Sequence, residues 1–131
     1  MPSNAVRDFR QLHVWQRAMD LAVAVYEITQ SFPREEIYGL TSQLRRAAVS
    51  VPSNIAEGYA RRTTRELIHF LSIADGSLAE LQTQLLLASR LGYCTDDAAK
   101  RAEMLIDECQ KMLFAMQSTL KERIRRGTAR Q

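Results

Sequence analysis

Residues 38–62 read YGLTSQLRRAAVSVPSNIAEGYARR, and how the chain passes through them decides the fold. Leucines, alanines, glutamine and arginines favour helix here, yet Pro52 stands in the middle. A mid-helix proline removes one backbone donor and crowds the carbonyl four residues earlier, costing about 3 kcal/mol in a plain helix. Ser50, Ser53 and Asn54 can supply local hydrogen bonds around a kink, and Gly58 permits a close helix approach or a tight helix end. On this reading Pro52, Asn54, Glu57 and Gly58 shape a bundle; the other reading makes them a ligand surface.

The flanking sequence supplies three more helices. Apolar residues recur at steps of three and four, Gly and Pro are scarce, and no alternating run of strand length occurs, so the chain is all-α. Helices are expected over 12–29, 40–59, 64–91 and 96–125. Thr63 with Glu66 forms a capping box, Gly92 suits the left-handed position after the third helix, and Thr95, Asp96 and Asp97 suit the start of the fourth. Leu67, Leu71, Ala74, Leu78, Leu81, Leu85 and Ala88 make the clearest seam. The fourth helix offers Ala98, Ala102, Leu105, Cys109, Met112, Met116 and Leu120. Short connections predict an antiparallel up-down-up-down four-helix bundle as a single domain over 1–131, with a short arm at 1–10 and a basic tail at about 121–131.

The first helix carries two apolar stripes. Leu12, Trp15, Met19, Ala22 and Tyr26 read as the bundle seam. Val14, Ala18, Leu21, Val25, Ile28 and Phe32 form a second stripe, displaced by roughly 110°. One core does not require both. Together with Ile73 and Leu87 at outward positions of the third helix, the residues Val14, Leu21, Val25 and Ile28 are therefore candidates for an oligomer interface. The alternative is a first helix buried deeply in a broad core.

The segments FRQLHVWQRAMDLAVAVYEIT, FPREEIYGL, residues 38–62 and FLSIADGSLAELQTQLLLASRLGY also carry a family resemblance. From about Phe9 to Tyr93, and more loosely beyond, the chain resembles the small bacterial four-helix-bundle proteins encoded within intervening sequences of 23S rRNA genes. The resemblance implies a ring-shaped homopentamer. It extends to the accessory proteins of diversity-generating retroelements, which implies a reverse transcriptase as a partner and nucleic-acid binding. An open reading frame inside an rRNA gene does not imply a ribosomal component.

Several chemistries lack a carrier in the sequence. No apolar run reaches the roughly 18 residues needed to cross a bilayer and the N-terminus lacks a signal-peptide block, so a cytoplasmic protein without a membrane partner is expected. Cys94 and Cys109 lie about four helical turns apart and read as reduced thiols. Glu66-x-x-His69 matches half of a di-iron motif, but a second copy and two inward carboxylates are wanting, and His69 falls on the outermost face. His13 has no ligand-spaced neighbour. Phosphate loops, nucleophile elbows and zinc clusters are absent, so no enzyme, cofactor or metal is expected.

Charge is the remaining signal. The net charge is +3, but Lys121, Arg123, Arg125, Arg126 and Arg130 crowd residues 121–131 against Glu122 alone. An up-down-up-down bundle gathers these with Arg7, Arg10, Arg61, Arg62 and Arg65 at one pole, and Glu35, Glu36, Asp96 and Asp97 at the other. Such polarity complements helix dipoles and aids solubility; it also suits phosphate-backbone binding by counterion release, to RNA or DNA. Arg45 and Arg46 form a separate pair, roughly 22 Å from Arg61 at 1.5 Å per residue. They fit salt bridges between helices or subunits, a channel lining, or nucleic-acid contact. The candidate nucleic-acid residues are thus Arg45, Arg46, Arg61, Arg62, Arg65, Lys121, Arg123, Arg125 and Arg126. No recognition-helix pattern or aromatic platform supports base reading. The expected function is a non-enzymatic, oligomeric, nucleic-acid-binding bundle; the alternative is a protein-interaction scaffold.

Overall fold

The computed structural model describes residues 8–128. A 3-10 turn at Phe9–Gln11 leads into α1 (His13–Thr29), a second turn at Arg34–Glu36 into α2 (Leu40–Tyr59), and α3 (Thr64–Arg90) and α4 (Asp96–Arg125) follow. No strand occurs among the described residues. The ends form for the reasons their sequence suggests. Thr63 accepts the Glu66 N–H at 3.2 Å and Thr95 accepts the Ala98 N–H at 3.2 Å, each occupying a donor that the first helical turn leaves open. Gly92, at φ +77°, ends α3 with the Tyr93 N–H bonded back to the Ala88 carbonyl.

Helix α2 runs unbroken through Pro52, whose ring is buried. The Asn54 amide donates to the Ser50 carbonyl at 2.8 Å and to the Ser50 hydroxyl at 2.9 Å, and that hydroxyl pairs with Ser77 Oγ of α3 at 2.8 Å. Local polar bonds around the proline thus extend into the neighbouring helix. Gly58 provides a close approach: a Cβ there would lie 2.9 Å from Phe70 Cβ and 3.0 Å from Leu67 Cδ1. Gly58 meeting Leu67 and Phe70, Ser50 meeting Ser77, and Gln43 meeting Gln84 set α2 and α3 antiparallel. The ion pair Arg17–Glu108 and the shared cleft of Ala24, Glu27, Asp97 and Arg101 do the same for α1 and α4. Each helix packs on its chain neighbours and α1 closes onto α4, leaving α1 diagonal to α3 and α2 diagonal to α4.

The core corrects the reading of α1. Val14, Ala18, Leu21 and Val25 are essentially inaccessible and Phe32 is buried, while Ile28 packs half-buried against them. Val14, Leu21 and Val25 are therefore bundle core, not an oligomer surface, and Ile28 belongs to its edge. The other stripe lies along the flank facing α2, where Trp15 and Ala22 are half-buried and Met19 and Tyr26 are exposed. The physical reason is polarity: aliphatic side chains fill the interior completely, whereas Trp15 and Tyr26 each carry a polar atom that suits an edge where part of the side chain meets water, and Met19 lies between them on the same face. Ile73 and Leu87 are exposed, at 38% and 47%. The seam of α3 is buried as expected except for half-buried Leu67. In α4 the core face is rotated: Ala99, Ile106 and Leu113 join Ala102, Leu105 and Cys109, while Met112, Met116 and Leu120 lie at the margin.

Both cysteines are free, and burial first, with Glu108 second, pushes the Cys109 thiol up to about 12. At the pole opposite the α2–α3 turn, Glu36 joins two loops. Its Oε1 accepts the Leu40 N–H at 3.0 Å, capping α2, and its Oε2 accepts the Tyr93 hydroxyl at 2.9 Å. Phe32 packs on the Tyr93 ring at 5.5 Å. Gly39 leaves room for the cap, since a Cβ there would fall 2.6 Å from Glu36 Oε1. The Leu40 N–H, then the Tyr93 hydroxyl, hold the Glu36 carboxyl below the usual carboxylate range.

Three outcomes follow from this packing. Leu21→Glu abolishes cooperative folding and Leu21→Ala costs about 2–5 kcal/mol, whereas Val23→Lys, on the exposed flank, leaves the urea midpoint nearly unchanged. Gly58→Ala costs about 1–3 kcal/mol despite alanine's better helix propensity, because α2 and α3 must part; an unchanged urea midpoint would refute the close contact. Because the folded Glu36 pKa is depressed, its contribution is present above the unfolded carboxylate pKa and fades as pH falls through the folded value. Urea midpoints from about pH 6 downward should therefore fall less steeply in Glu36→Gln than in the parent.

Candidate nucleic-acid interface

The end of α2, the start of α3 and the end of α4 meet at one pole. Tyr59 shares a shallow groove with Met116, Leu120 and Arg123, and Gln117 donates to Ser72 Oγ at 2.9 Å, which sets the last turns of α4 beside the first turns of α3. The Phe9–Gln11 turn packs against both α1 and α2, and Phe9 meets Trp15 edge-on at 5.3 Å. Arg61, Arg62, Arg65, Lys121, Arg123, Arg125 and Arg126 are all exposed. Arg7 and Arg130 lie outside the described residues.

Much of this charge is held internally. Arg61 pairs with Glu57 at 2.7 Å and lies 4.7 Å over the Phe70 ring. Arg125 and Arg126 both bond to Glu122, the latter at 2.8 Å, and Arg10 forks onto Asp8. Hydrogen bonds from Arg125 first, and from Arg126, hold the Glu122 carboxyl below its ordinary range; Asp8 is lowered likewise by Arg10. These pairs align guanidinium groups along the surface while cancelling part of their field. Even so, cations outnumber carboxylates at this pole, with Glu57, Glu66, Glu122 and Asp8 set against the seven basic candidates and Arg10. Arg123 lies near enough to Tyr59 to lower its phenol, but burial outweighs that and pushes Tyr59 up.

Arg45 and Arg46 stand elsewhere, on the α1–α2 side. Arg45 lies 4.7 Å over the Tyr26 ring and donates through Nε to Thr29 Oγ1 at 2.8 Å; Arg46 reaches Ser42 Oγ at 3.4 Å. With Tyr26, Ile37 and Val49 they line a groove of about 460 Å³, and Arg34 continues it. Among the described residues, neither Arg34, Arg45 nor Arg46 is in an ion pair. The sequence reading gave Arg34 no role and set Tyr26 on the bundle seam, whereas the turn between α1 and α2 brings both beside Arg45. It also passed over the pairing within α4, although Glu122 stands three and four residues before Arg125 and Arg126, a spacing that puts them on one face.

Glu66 is engaged by the Thr63 cap, and His69 is exposed with its ring edge-on to Phe70 at 5.5 Å. Among the described residues no group of three or more histidines, cysteines and carboxylates is placed to hold a metal, and no helix is long and apolar enough to cross a membrane.

Comparison with known proteins bears on the fold and on the family separately. A crystal structure from Bacteroides thetaiotaomicron, described as a protein of unknown function from the S23 ribosomal protein family, is similar with a TM-score of 0.71 and 22% identity, over 79% of this chain and 96% of that one. At that identity the likeness establishes the fold. No curated protein matches the chain. The sequence profile described as 23S rRNA-intervening sequence protein matches residues 10–115, from the turn before α1 to beyond Leu113, the last fully buried residue of α4. Because that match takes in nearly the whole bundle, core and connections together, the chain belongs to the 23S rRNA-intervening sequence protein family.

Proposed function

We propose that this protein is a non-enzymatic, cytoplasmic, homo-oligomeric bundle that binds nucleic acid, RNA in particular, through its basic pole. The observation that carries the reading is the convergence of Arg61, Arg62 and Arg65 with Lys121, Arg123, Arg125 and Arg126 where α2, α3 and α4 meet. Arg and Lys contacts to phosphates release counterions and give affinity without base selection. One pole of modest net charge binds weakly, and repetition around an oligomer, a pentamer by family resemblance, multiplies it by raising the effective concentration of the second contact. The exposed apolar side chains of α3 and of the α1–α2 groove favour protein contact as well, which keeps a scaffold role, with a reverse transcriptase among its partners, as the second reading.

Titration with labelled single-stranded RNA over a range of salt separates the two. Replacing Arg62, Arg65 and Arg123 with alanine should weaken binding alike across unrelated sequences and reduce the slope of log K against log salt by about 2. Absence of RNA affinity at physiological salt in the parent protein would refute nucleic-acid binding and favour the scaffold.

A further inference from the structure

The Arg45 guanidinium is fixed on two sides. The buried Thr29 hydroxyl donates to the Val25 carbonyl at 2.8 Å, which leaves its oxygen to accept from Arg45 Nε at 2.8 Å, while the Tyr26 ring lies 4.7 Å beneath the guanidinium carbon. One edge and one face of the fork are thereby occupied. The other edge, Nη1 with Nη2, has no acceptor among the described residues. Immobilising a long side chain weakens the binding that requires it. For Arg45 the immobilisation is already present in the free protein.

Around that free edge the groove offers donors and no anion. Arg45 lines two adjoining hollows, of about 460 and 330 Å³, with Arg46 and Ser42 in the first, Arg34 and Gln30 in the second, and Ile37 and Thr41 in both. No carboxylate lines either hollow, and none of the three arginines is in an ion pair among the described residues. The nearby acids are turned to other work: Glu27 lines the cleft between α1 and α4, and Glu36 accepts from Leu40 and Tyr93. Tyr26, Ile37 and Val49, all exposed, give the first hollow an apolar wall. A carboxylate has one charge and two oxygens, whereas a phosphomonoester has about −1.5 to −2 charge near neutral pH and three acceptor oxygens. Three unanswered guanidinium groups suit the second, since planar forks match phosphate oxygens in pairs. The apolar wall suits the face of a nucleobase.

We propose that the α1–α2 groove binds a nucleoside phosphomonoester, supplied either by a terminally phosphorylated RNA or by a free mononucleotide. Arg45 is the fixed contact, Arg34 and Arg46 meet the phosphate from the two hollows, and Tyr26, Ile37 and Val49 flank the nucleoside. This site is separate from the basic pole and does not depend on it. The pole grips phosphodiesters at any point of a strand, whereas the groove distinguishes a phosphate that ends one.

Two titrations of the nuclease-treated protein test the site: calorimetry with adenosine 5′-monophosphate, adenosine and inorganic phosphate, and anisotropy with one internally labelled short RNA bearing a 5′-phosphate, a 3′-phosphate or neither. Adenosine 5′-monophosphate should bind more tightly than inorganic phosphate, and adenosine not at all, if the source is a free nucleotide. A terminal phosphate should tighten RNA binding about tenfold or more if the source is a strand end. Either preference supports the site, and the calorimetry reports on the groove even where the RNA does not bind. Arg34→Gln combined with Arg46→Gln, both at exposed positions, should remove the preference with the far-UV circular dichroism unchanged. Arg45→Lys should do the same, because lysine keeps the charge but loses the fork. Alanine at Arg62, Arg65 and Arg123 should weaken all three RNAs alike and keep their ratio. Indifference to the phosphate in both titrations, or a preference that survives the double variant, would overturn the proposal; a glutamate-rich peptide that binds where adenosine 5′-monophosphate does not would also overturn it and assign the groove to a protein.

Discussion

Gly58 lets α2 approach α3 more closely than a larger residue permits, and the rest of the bundle is arranged around that approach. With the two backbones this near at one end, Ser50 meets Ser77 in the middle and Gln43 meets Gln84 towards the other end. These polar pairs line one flank of a seam that is otherwise apolar, and a shift of register would strand them. The proline that seemed an obstacle sits inside this arrangement. Its neighbours Ser50 and Asn54 bond to each other and onward to α3, so the local irregularity is absorbed into interhelical contact.

Periodicity and capping chemistry were legible in the chain, so α2 and α4 begin and end where expected and α1 and α3 differ by one residue. The seam of α3 was legible too, because Leu67, Leu71, Ala74, Leu78, Leu81, Leu85 and Ala88 recur at steps of three and four without a gap, whereas the outward Ile73 and Leu87 make no such stripe. Helix α1 was not, and the reason is geometric. Both of its stripes repeat at the same spacing, and periodicity cannot say which of two faces points inward once α1 must touch α2 on one side and α4 on the other. Side-chain character held the missing information: Ala18, Leu21 and Val25 have no polar atom to expose, while Trp15 and Tyr26 do. The rotated face of α4 has a related cause, since Ile106 and Leu113 lie beside the expected stripe and become interior only when α3 and α1 flank the helix together.

The candidate site was legible as a pole but not as an electrostatic surface. Short turns and four helices suffice to bring Arg61, Arg65 and Arg123 to one end. What composition could not show is where charge is already answered. Glu57 and Glu122 engage three of the arginines at the pole, while the less conspicuous Arg34, Arg45 and Arg46 line a groove that contains no acid. Counting cations along the chain ranks these two regions in one order, and pairing ranks them in the other. Field strength at short range follows the second ranking, whereas long-range attraction of a polyanion follows the first.

The contrast between the two cysteines has a use of its own. Cys109 is wholly enclosed by the core and its thiol stays protonated far above neutral pH, whereas Cys94 sits half-buried in the turn between α3 and α4. Alkylation needs a thiolate that a reagent can reach. Modification of Cys109 in the native protein therefore waits for α4 to lift from the bundle, so its labelling rate measures how often the core opens, while Cys94 serves as an internal clock for reagent reactivity. The natural sequence thus carries a matched pair of probes for the breathing of its own fold.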